Sequence, residues 1–273
     1  MTAPIDPTAV IAAAARALET ARPTPLVDDP YAARLVDAAG GLQLDRFPQE
    51  LVDRVRDSNA LRSHFLDAVT GDAVADGVRQ VVILGAGLDA RPWRLGFAES
   101  TTVFRVDLPA TVGFTTSVLG SSESAGSPVV VDVAADLQED WPSALLAAGF
   151  TSSATTLWIA EGVLFYLEAE DAAEVVSRAA ELSAPGSVFT FAHFGPGAAE
   201  EGQTGQMATA AGDRGAPFTS TIRTPSDLLD GDRWDMLTET TIAAYGAEQD
   251  RPLPYPERPG REVTWLAAAR RRG

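Results

Sequence analysis

The chain has 273 residues, of which 38 are acidic and 21 are basic, so its formal net charge is −17. This acidity argues against a nucleic acid or an anionic membrane as a partner, because both would meet a repulsive field. The sequence contains no cysteine and no lysine. Disulfides, thiolate nucleophiles, Schiff-base chemistry and a Walker P-loop are therefore excluded.

Two further expectations follow from composition and hydropathy. Because the chain has two histidines and no cysteine, we expect no metal site. It has neither a long apolar run nor a basic start followed by an apolar segment, which favours a cytoplasmic protein. The use of arginine alone as the basic residue, with abundant alanine, is typical of GC-rich bacterial genomes and fits secondary metabolism.

The first 75 or so residues are predicted to be helical. We expect a helix from Ala9 to about Thr20 capped by Thr8, and a third helix from about Pro48 to Val69. Between them, Asp28-Asp29-Pro30 predicts the start of a second helix. We interpret residues 1–75 as an N-terminal helical cap that forms one structural unit with residues 76–273.

From Gln80 onward, short apolar runs alternate with helix-like stretches, which is typical of a parallel, doubly wound α/β sheet. The predicted strands lie at residues 80–84, 102–106, 129–132, 155–160 and 187–192, and the clearest helices at 141–148 and 168–182.

The remainder of the chain is patterned less strongly. A helix is predicted after Thr224-Pro225-Ser226-Asp227, and two closing strands at residues 234–243 and 262–269. The stretch before them, at about residues 195–225, is interpreted as a lid or substrate-covering insertion, with a surface loop of no special role as the alternative.

The most specific motif follows the first predicted strand, where Gly85 and Gly87 permit a tight turn and a close approach of a ligand to the backbone. The second strand ends at Asp107, which lies 107 − 87 = 20 residues beyond Gly87. An acid at this distance can hold both hydroxyls of a ribose. The motif therefore predicts a nucleoside cofactor.

Two cofactors fit this motif. Gly85, Gly87 and Ala90 match the fingerprint of nicotinamide dinucleotides. The loop and the neighbouring strand ends, however, carry Asp89, Asp107, Asp136 and Glu161, and such a ring of acids would repel a pyrophosphate. It would attract the sulfonium and the ammonium of S-adenosylmethionine, which favours that cofactor. An ion pair between Asp89 and Arg91 would weaken this argument.

The segment from Leu84 to Arg91 resembles the LGAGLDTR motif of the leucine carboxyl methyltransferase-like family of S-adenosylmethionine-dependent methyltransferases, with Ala90 in place of threonine. Within that family, the bacterial small-molecule O-methyltransferases are the most similar group. Other segments resemble family elements in order along most of the chain, namely Thr20–Pro23 with Asp29–Ala32, Arg62–Asp67, Arg105–Pro109, Asp136–Trp141, Ala160–Leu167 and Val263–Arg270.

The resemblance implies a Rossmann-like class I methyltransferase fold, with a mostly parallel, seven-stranded sheet and an antiparallel C-terminal strand. It also implies S-adenosylmethionine as the cofactor. Arg62 would pair with the cofactor carboxylate, Gly85 would let the methionine portion lie against the backbone, and Asp107 would hold the ribose. Gly87 would also belong to the cofactor-binding residues. Asp136 and Leu137 would meet the adenine, and Glu161 would lie at the methionine end.

Besides Ala90, two departures from the family pattern bear on the site: His64 and Arg105 replace an arginine and a glutamate. Three other residues are candidates for roles toward the acceptor. His193, just after the fifth predicted strand, is the candidate general base. Arg223 is a candidate anchor for a substrate carboxylate, and Tyr166 is a candidate pocket residue.

The resulting hypothesis is an S-adenosylmethionine-dependent O-methyltransferase that acts on a small molecule, with a carboxylate of a secondary metabolite as the favoured acceptor. Two alternatives stay open at this point: an NAD(P)-dependent oxidoreductase, and a noncatalytic protein that binds S-adenosylmethionine. The sequence specifies neither the acceptor nor the oligomeric state.

Overall fold

The computed structural model describes residues 5–42, 46–120, 127–196, 217–254 and 263–273. Three helices precede the sheet, namely α1 (Pro7–Thr20), α2 (Ala32–Ala38) and α3 (Gln49–Ala75). Asp6, and not Thr8, caps α1, because its carboxylate accepts a hydrogen bond from the backbone amide of Thr8 at 2.7 Å. The third helix continues to Ala75, beyond its predicted end at Val69.

Seven strands form one sheet in the order β3-β2-β1-β4-β5-β7-β6. The strands are β1 (Gln80–Leu84), β2 (Thr102–Asp107), β3 (Val129–Ala134), β4 (Thr156–Ala160), β5 (Val188–Phe194), β6 (Trp234–Thr241) and β7 (Thr264–Arg271). The helices between them are α4 (Arg91–Arg94), α5 (Pro109–Leu119), α6 (Trp141–Ala147), α7 (Ala169–Glu181) and α8 (Ile242–Glu248).

Strands β1 to β5 pair in parallel, and β7 pairs antiparallel with both β5 and β6. This topology confirms the expected Rossmann-like, doubly wound α/β fold with an antiparallel C-terminal strand. The chain reverses its winding direction between β1 and β4. In open α/β sheets, ligands bind at such a point, outside the carboxyl ends of the strands.

Apolar side chains of the central strands alternate between the two faces of the sheet. On one face, Val82 and Leu84 pack in a cluster with residues of α6 and α7. On the other face, Val81 and Ile83 pack in a cluster with residues of α3 and α8. Because both faces are covered, all five residues of β1 are buried, as its continuous apolar run predicts.

A third cluster joins α1 and α2 to the loop after β1. Val10, Ala13 and Leu35 pack there with Leu88 and Ala90, which belong to the glycine motif. The N-terminal helices therefore lie directly against that loop. The assignment of residues 1–75 as a cap that forms one structural unit with residues 76–273 stays a prediction.

Two expectations for the region after β5 are wrong. The predicted helix after Thr224 is a single 3-10 turn at Pro225–Asp227. The strand predicted for residues 234–243 ends at Thr241, whose hydroxyl caps α8 by accepting a hydrogen bond from the amide of Ala244 at 3.2 Å.

Most of the proposed insertion, residues 197–216, lies outside the described residues. None of the described helices combines the length and the apolar character that a membrane span requires.

Candidate active site

The glycine loop after β1 needs glycine for both conformational and steric reasons. Gly85 and Gly87 have φ angles of +61° and +49°, in the left-handed region. A Cβ atom on Gly85 would lie 2.6 Å from the Cβ of Val163, which follows β4. The loop can therefore adopt this path only because position 85 carries no side chain.

Asp107 at the end of β2 holds this loop in place. Its carboxylate accepts hydrogen bonds from the amides of Gly87 at 2.7 Å and Leu108 at 2.6 Å. Burial raises the pKa of Asp107, and these two hydrogen bonds act in the opposite direction. A carboxylate offers about four acceptor positions, so two hydrogen bonds leave capacity for two ribose hydroxyls.

A cavity of about 480 Å³ opens at the carboxyl ends of the parallel strands, beside the glycine loop. It brings together most of the predicted site residues: Arg62, Gly85, Gly87, Asp107, Asp136, Leu137, Glu161 and Tyr166. These residues come from α3, from the ends of β1, β2 and β4 and from the loop after β3. The structure therefore brings these residues together at one cavity, and their roles toward a cofactor stay a prediction.

At one end of the cavity, Glu161 lies in an arginine cluster. It accepts hydrogen bonds from Nε of Arg62 at 3.1 Å and from the hydroxyl of Ser63 at 2.7 Å, and it also pairs with Arg91. Burial disfavours the ionised form, but Arg91 and Arg62 outweigh burial and hold the pKa of Glu161 well below its usual range. Glu161 is therefore a fixed anion at neutral pH.

Arg91 does not line the cavity, but it pairs with two acids that do, and no role was predicted for it. Its side chain is 2% exposed and bridges three carboxylates: Asp67 of α3 at 2.7 Å, Asp89 of the glycine loop, and Glu161 after β4. In the sequence, the position of Arg91 in the glycine motif, close to Asp89, indicated that the two could form an ion pair. Two of the four acids predicted around the cavity, Asp89 and Glu161, thus carry an internal counter-charge, which weakens the electrostatic argument for the cofactor.

Arg16 of α1 adds a second link to the same loop. It donates to the carboxylate of Asp29 at 2.8 Å and to the carbonyl of Leu88 at 2.7 Å. Since Arg16 and Ala9 also line the cavity, α1 forms part of the cavity wall.

The structure does not bring His193 to the cavity. Its imidazole is fully buried, with Nδ1 3.1 Å from the carbonyl of Phe194 and Nε2 3.3 Å from the hydroxyl of Ser220. Burial lowers the pKa of His193 to about 4, against the effect of the Phe194 carbonyl. The proposed general base is therefore a neutral, internally bonded side chain, and Phe194 lines the cavity in its place.

Arg223 is also placed away from the cavity. Its side chain is 81% exposed and pairs with Asp227 at 3.2 Å. This location at the surface argues against a role of Arg223 as a substrate anchor.

The two departures from the family pattern have structural partners. His64 points away from the cavity, and its Nδ1 lies 2.7 Å from the hydroxyl of Tyr245 on α8. Arg105 is fully buried beneath the glycine loop, where it pairs with Asp132 at 2.8 Å and donates to the carbonyl of Gly87 at 3.2 Å. Burial lowers the pKa of Arg105, against the attraction of Asp132. Arg105 thus supports the loop from below.

Comparison with known proteins shows the family and the fold of the chain. The model of the leucine carboxyl methyltransferase family matches residues 9–180. A relative from Mycolicibacterium vanbaalenii, whose name places it among the S-adenosyl-L-methionine-dependent methyltransferases, is 35% identical over 97% of this chain and 95% of its own. A relative from Mycolicibacterium smegmatis with the same kind of name is 36% identical over 92% of this chain and 89% of its own.

Solved structures share the fold. A DUF574 family protein from Streptomyces avermitilis has a TM-score of 0.63 at 19% identity, over 96% of both chains. Magnesium protoporphyrin IX methyltransferase from Synechocystis, solved with bound SAH, has a TM-score of 0.51 at 15% identity, over 80% of this chain and 87% of its own.

The fold and the site define a class I S-adenosylmethionine-dependent methyltransferase. The residues present fit the cofactor, since the cavity offers a glycine loop, a carboxylate at the end of β2 and an Asp-Leu pair after β3. The chain belongs to the leucine carboxyl methyltransferase family. This membership removes the nicotinamide-dependent and the noncatalytic alternatives.

Proposed function

We propose that this enzyme is an O-methyltransferase and that its acceptor is a carboxylate of a small molecule. The observation that carries the proposal is the position of the two histidines. Both lie in the described part of the chain, and neither lines the cavity. A phenol or an alcohol usually needs a general base, for which histidine is the most frequent residue, whereas a carboxylate is already ionised at neutral pH.

The reaction then needs orientation more than proton transfer. When bound, S-adenosylmethionine supplies a methyl group on a positively charged sulfur. The residues of the cavity would hold an acceptor carboxylate in line with this methyl group, which the carboxylate oxygen would take while the sulfur would keep the electron pair of the broken bond. The products are a methyl ester and S-adenosylhomocysteine, with no proton to remove. Alignment of the two reactants supplies up to roughly 7–11 kcal/mol in the best cases.

The proposed cofactor contacts follow the cavity. Arg62 pairs with the cofactor carboxylate, and its guanidinium suits a bidentate contact. Asp107 accepts from the ribose hydroxyls, and Asp136 accepts from the adenine amine beside the apolar Leu137. Glu161 lies at the methionine end, where it holds Arg62 in position through the 3.1 Å ion pair.

We expect Asp107→Ala to weaken the binding of S-adenosylhomocysteine on the order of 100-fold, because hydrogen bonds from two ribose hydroxyls to a charged acceptor are lost. Calorimetric titration of the purified protein measures this change. Asp140→Ala is the matched control, since Asp140 also accepts from a backbone amide, that of Ser143 at 3.3 Å, but does not line the cavity. Equal affinity of the Asp107 variant and the unaltered protein would refute this role for Asp107.

The acceptor atom is tested with pairs of compounds that differ only in the reacting group. Each carboxylic acid is incubated with enzyme and S-adenosylmethionine beside the corresponding alcohol and phenol, and methylated products are identified by mass spectrometry. Methyl esters alone are the expected product. Ethers formed from the phenols at a comparable rate would contradict the carboxylate proposal.

A further inference from the structure

Besides the proposed cofactor residues, apolar side chains of α1 and α3 line the cavity. Ile11 and Leu18 of α1, and Val52 and Val55 of α3, are among them, and their side chains are half-buried. When an apolar molecule displaces water from between half-buried apolar side chains on facing helices, the burial of apolar surface lowers the free energy of the complex.

An aromatic cluster adjoins these walls at the ends of β4 and β5. Phe165, Tyr166, Phe194 and Phe218 all line the cavity. The ring centroids of Phe165 and Phe194 are 4.4 Å apart, and those of Tyr166 and Phe218 are 5.4 Å apart. Phe165 and Phe194 are buried, whereas Tyr166 and Phe218 keep part of their surface exposed. This arrangement offers ring surface for contact with a flat molecule.

The charges in the described wall do not suit a highly polar acceptor. The arginines that line it are Arg16 and Arg62, and each already has a carboxylate partner, Asp29 at 2.8 Å and Glu161 at 3.1 Å. A molecule with several charges would lose hydration there without a matched set of counter-charges, which is costly.

We propose that the methyl acceptor is an apolar, ring-bearing carboxylic acid. Its ring body packs between the aromatic cluster and the apolar faces of α1 and α3, and its carboxylate alone reaches the methionine end of the cavity. This inference rests on the proposed function, and it adds the substrate class. Recognition comes from contact with apolar surface and rings rather than from an ion pair to the body of the acceptor.

The test measures binding of 2-naphthoate and of succinate to the full chain saturated with S-adenosylhomocysteine, by equilibrium dialysis. We expect 2-naphthoate to bind at least about tenfold more tightly than succinate. Phe218→Ala removes a ring and Val52→Asp places a charge in the wall, so each is expected to weaken 2-naphthoate about tenfold. Leu237→Ala is the control, because Leu237 is an exposed apolar residue of β6 outside the cavity.

The outcomes separate the two proposals. Suppose that S-adenosylhomocysteine binds. If succinate then binds as tightly as 2-naphthoate, or if neither wall variant changes the affinity for 2-naphthoate, the apolar acceptor is refuted and the proposed function stands. If the unaltered protein does not bind S-adenosylhomocysteine, the proposed function itself fails. Unchanged S-adenosylhomocysteine affinity in Phe218→Ala and Val52→Asp shows that both variants remain folded.

Discussion

Replacement of Arg91 by methionine is expected to lower the free energy of unfolding by about 3–5 kcal/mol, and the Tm by roughly 10 °C. The side chain of Arg91 is 2% exposed and is shared by Asp67, Asp89 and Glu161. Methionine fills a similar length but leaves these three carboxylates without their common counter-charge. Removal of one partner from a buried ion pair is costly because the other charge stays buried.

Urea unfolding followed by circular dichroism measures this loss. Arg223→Met is the matched control, since the same substitution there breaks an ion pair to Asp227 whose arginine is 81% exposed. Exposed pairs contribute little, so the control should change the unfolding free energy by less than about 1 kcal/mol. Similar losses of unfolding free energy in the two variants would show that the Arg91 network stabilises the fold no more than an exposed ion pair does.

The same network predicts a dependence of stability on acid. The pKa of Glu161 is held below its usual value in the folded protein, so its contribution is complete above the unfolded pKa of about 4.5. The contribution is lost progressively as the pH falls below that value. In Arg91→Met the largest attraction on Glu161 is gone, and the acid-dependent loss should be smaller. Parallel curves of unfolding free energy against pH for the two proteins would contradict this assignment.

Gly85→Ala is the substitution expected to affect both folding and cofactor binding. The new Cβ would lie 2.6 Å from the Cβ of Val163, at a φ of +61°. Overpacking and a left-handed non-glycine residue together cost roughly 2–5 kcal/mol. Since relief of the clash moves the glycine loop, S-adenosylhomocysteine affinity should fall on the order of 100-fold. Thermal unfolding and calorimetry measure the two effects.

Two further variants separate the steric contact from the backbone conformation. Gly149→Ala is the control, because Gly149 has a φ of +98° and no atom within 4 Å of an added Cβ. This variant should lower the free energy of unfolding by about 1 kcal/mol, because it adds only the strain of a left-handed backbone at a residue with a side chain. Val163→Gly, combined with Gly85→Ala, removes the contact and should restore part of the affinity. No recovery in the double variant would show that the contact with Val163 is not the cause.

The order of most elements could be predicted because the signals for them are local. The continuous apolar run of β1 and the Ala-Pro-Gly stop after α7 each lie within a few residues, and the structure has both elements at the expected places. Helix α8 was missed because Thr240, Thr241 and Ile242 are β-branched and favour a strand. Only the side-chain cap at Thr241 marks the change to a helix.

The candidate site shows the same division between local and distant signals. Motifs within single segments located Gly85, Asp107 and Asp136, and all of them line the cavity. Arg91 meets Asp67 and Glu161 across 24 and 70 residues, and no local pattern specifies those pairs. His193 was predicted to follow the fifth strand, but β5 continues to Phe194, so His193 lies within the strand and its side chain points to the face opposite that of Phe194. Its neighbour Phe194 has the orientation that the general-base hypothesis required.

The position of β7 has a consequence for the order in which the sheet is assembled. β7 lies between β5 and β6, although it follows both in the chain. In the described part of the sheet, β6 is therefore joined to the other strands only through residues 264–271. Until those residues are synthesised, one edge of β5 stays open, and all seven residues of that strand are buried in the finished fold. An open apolar edge can pair with another chain, so aggregation competes with folding until β7 is in place.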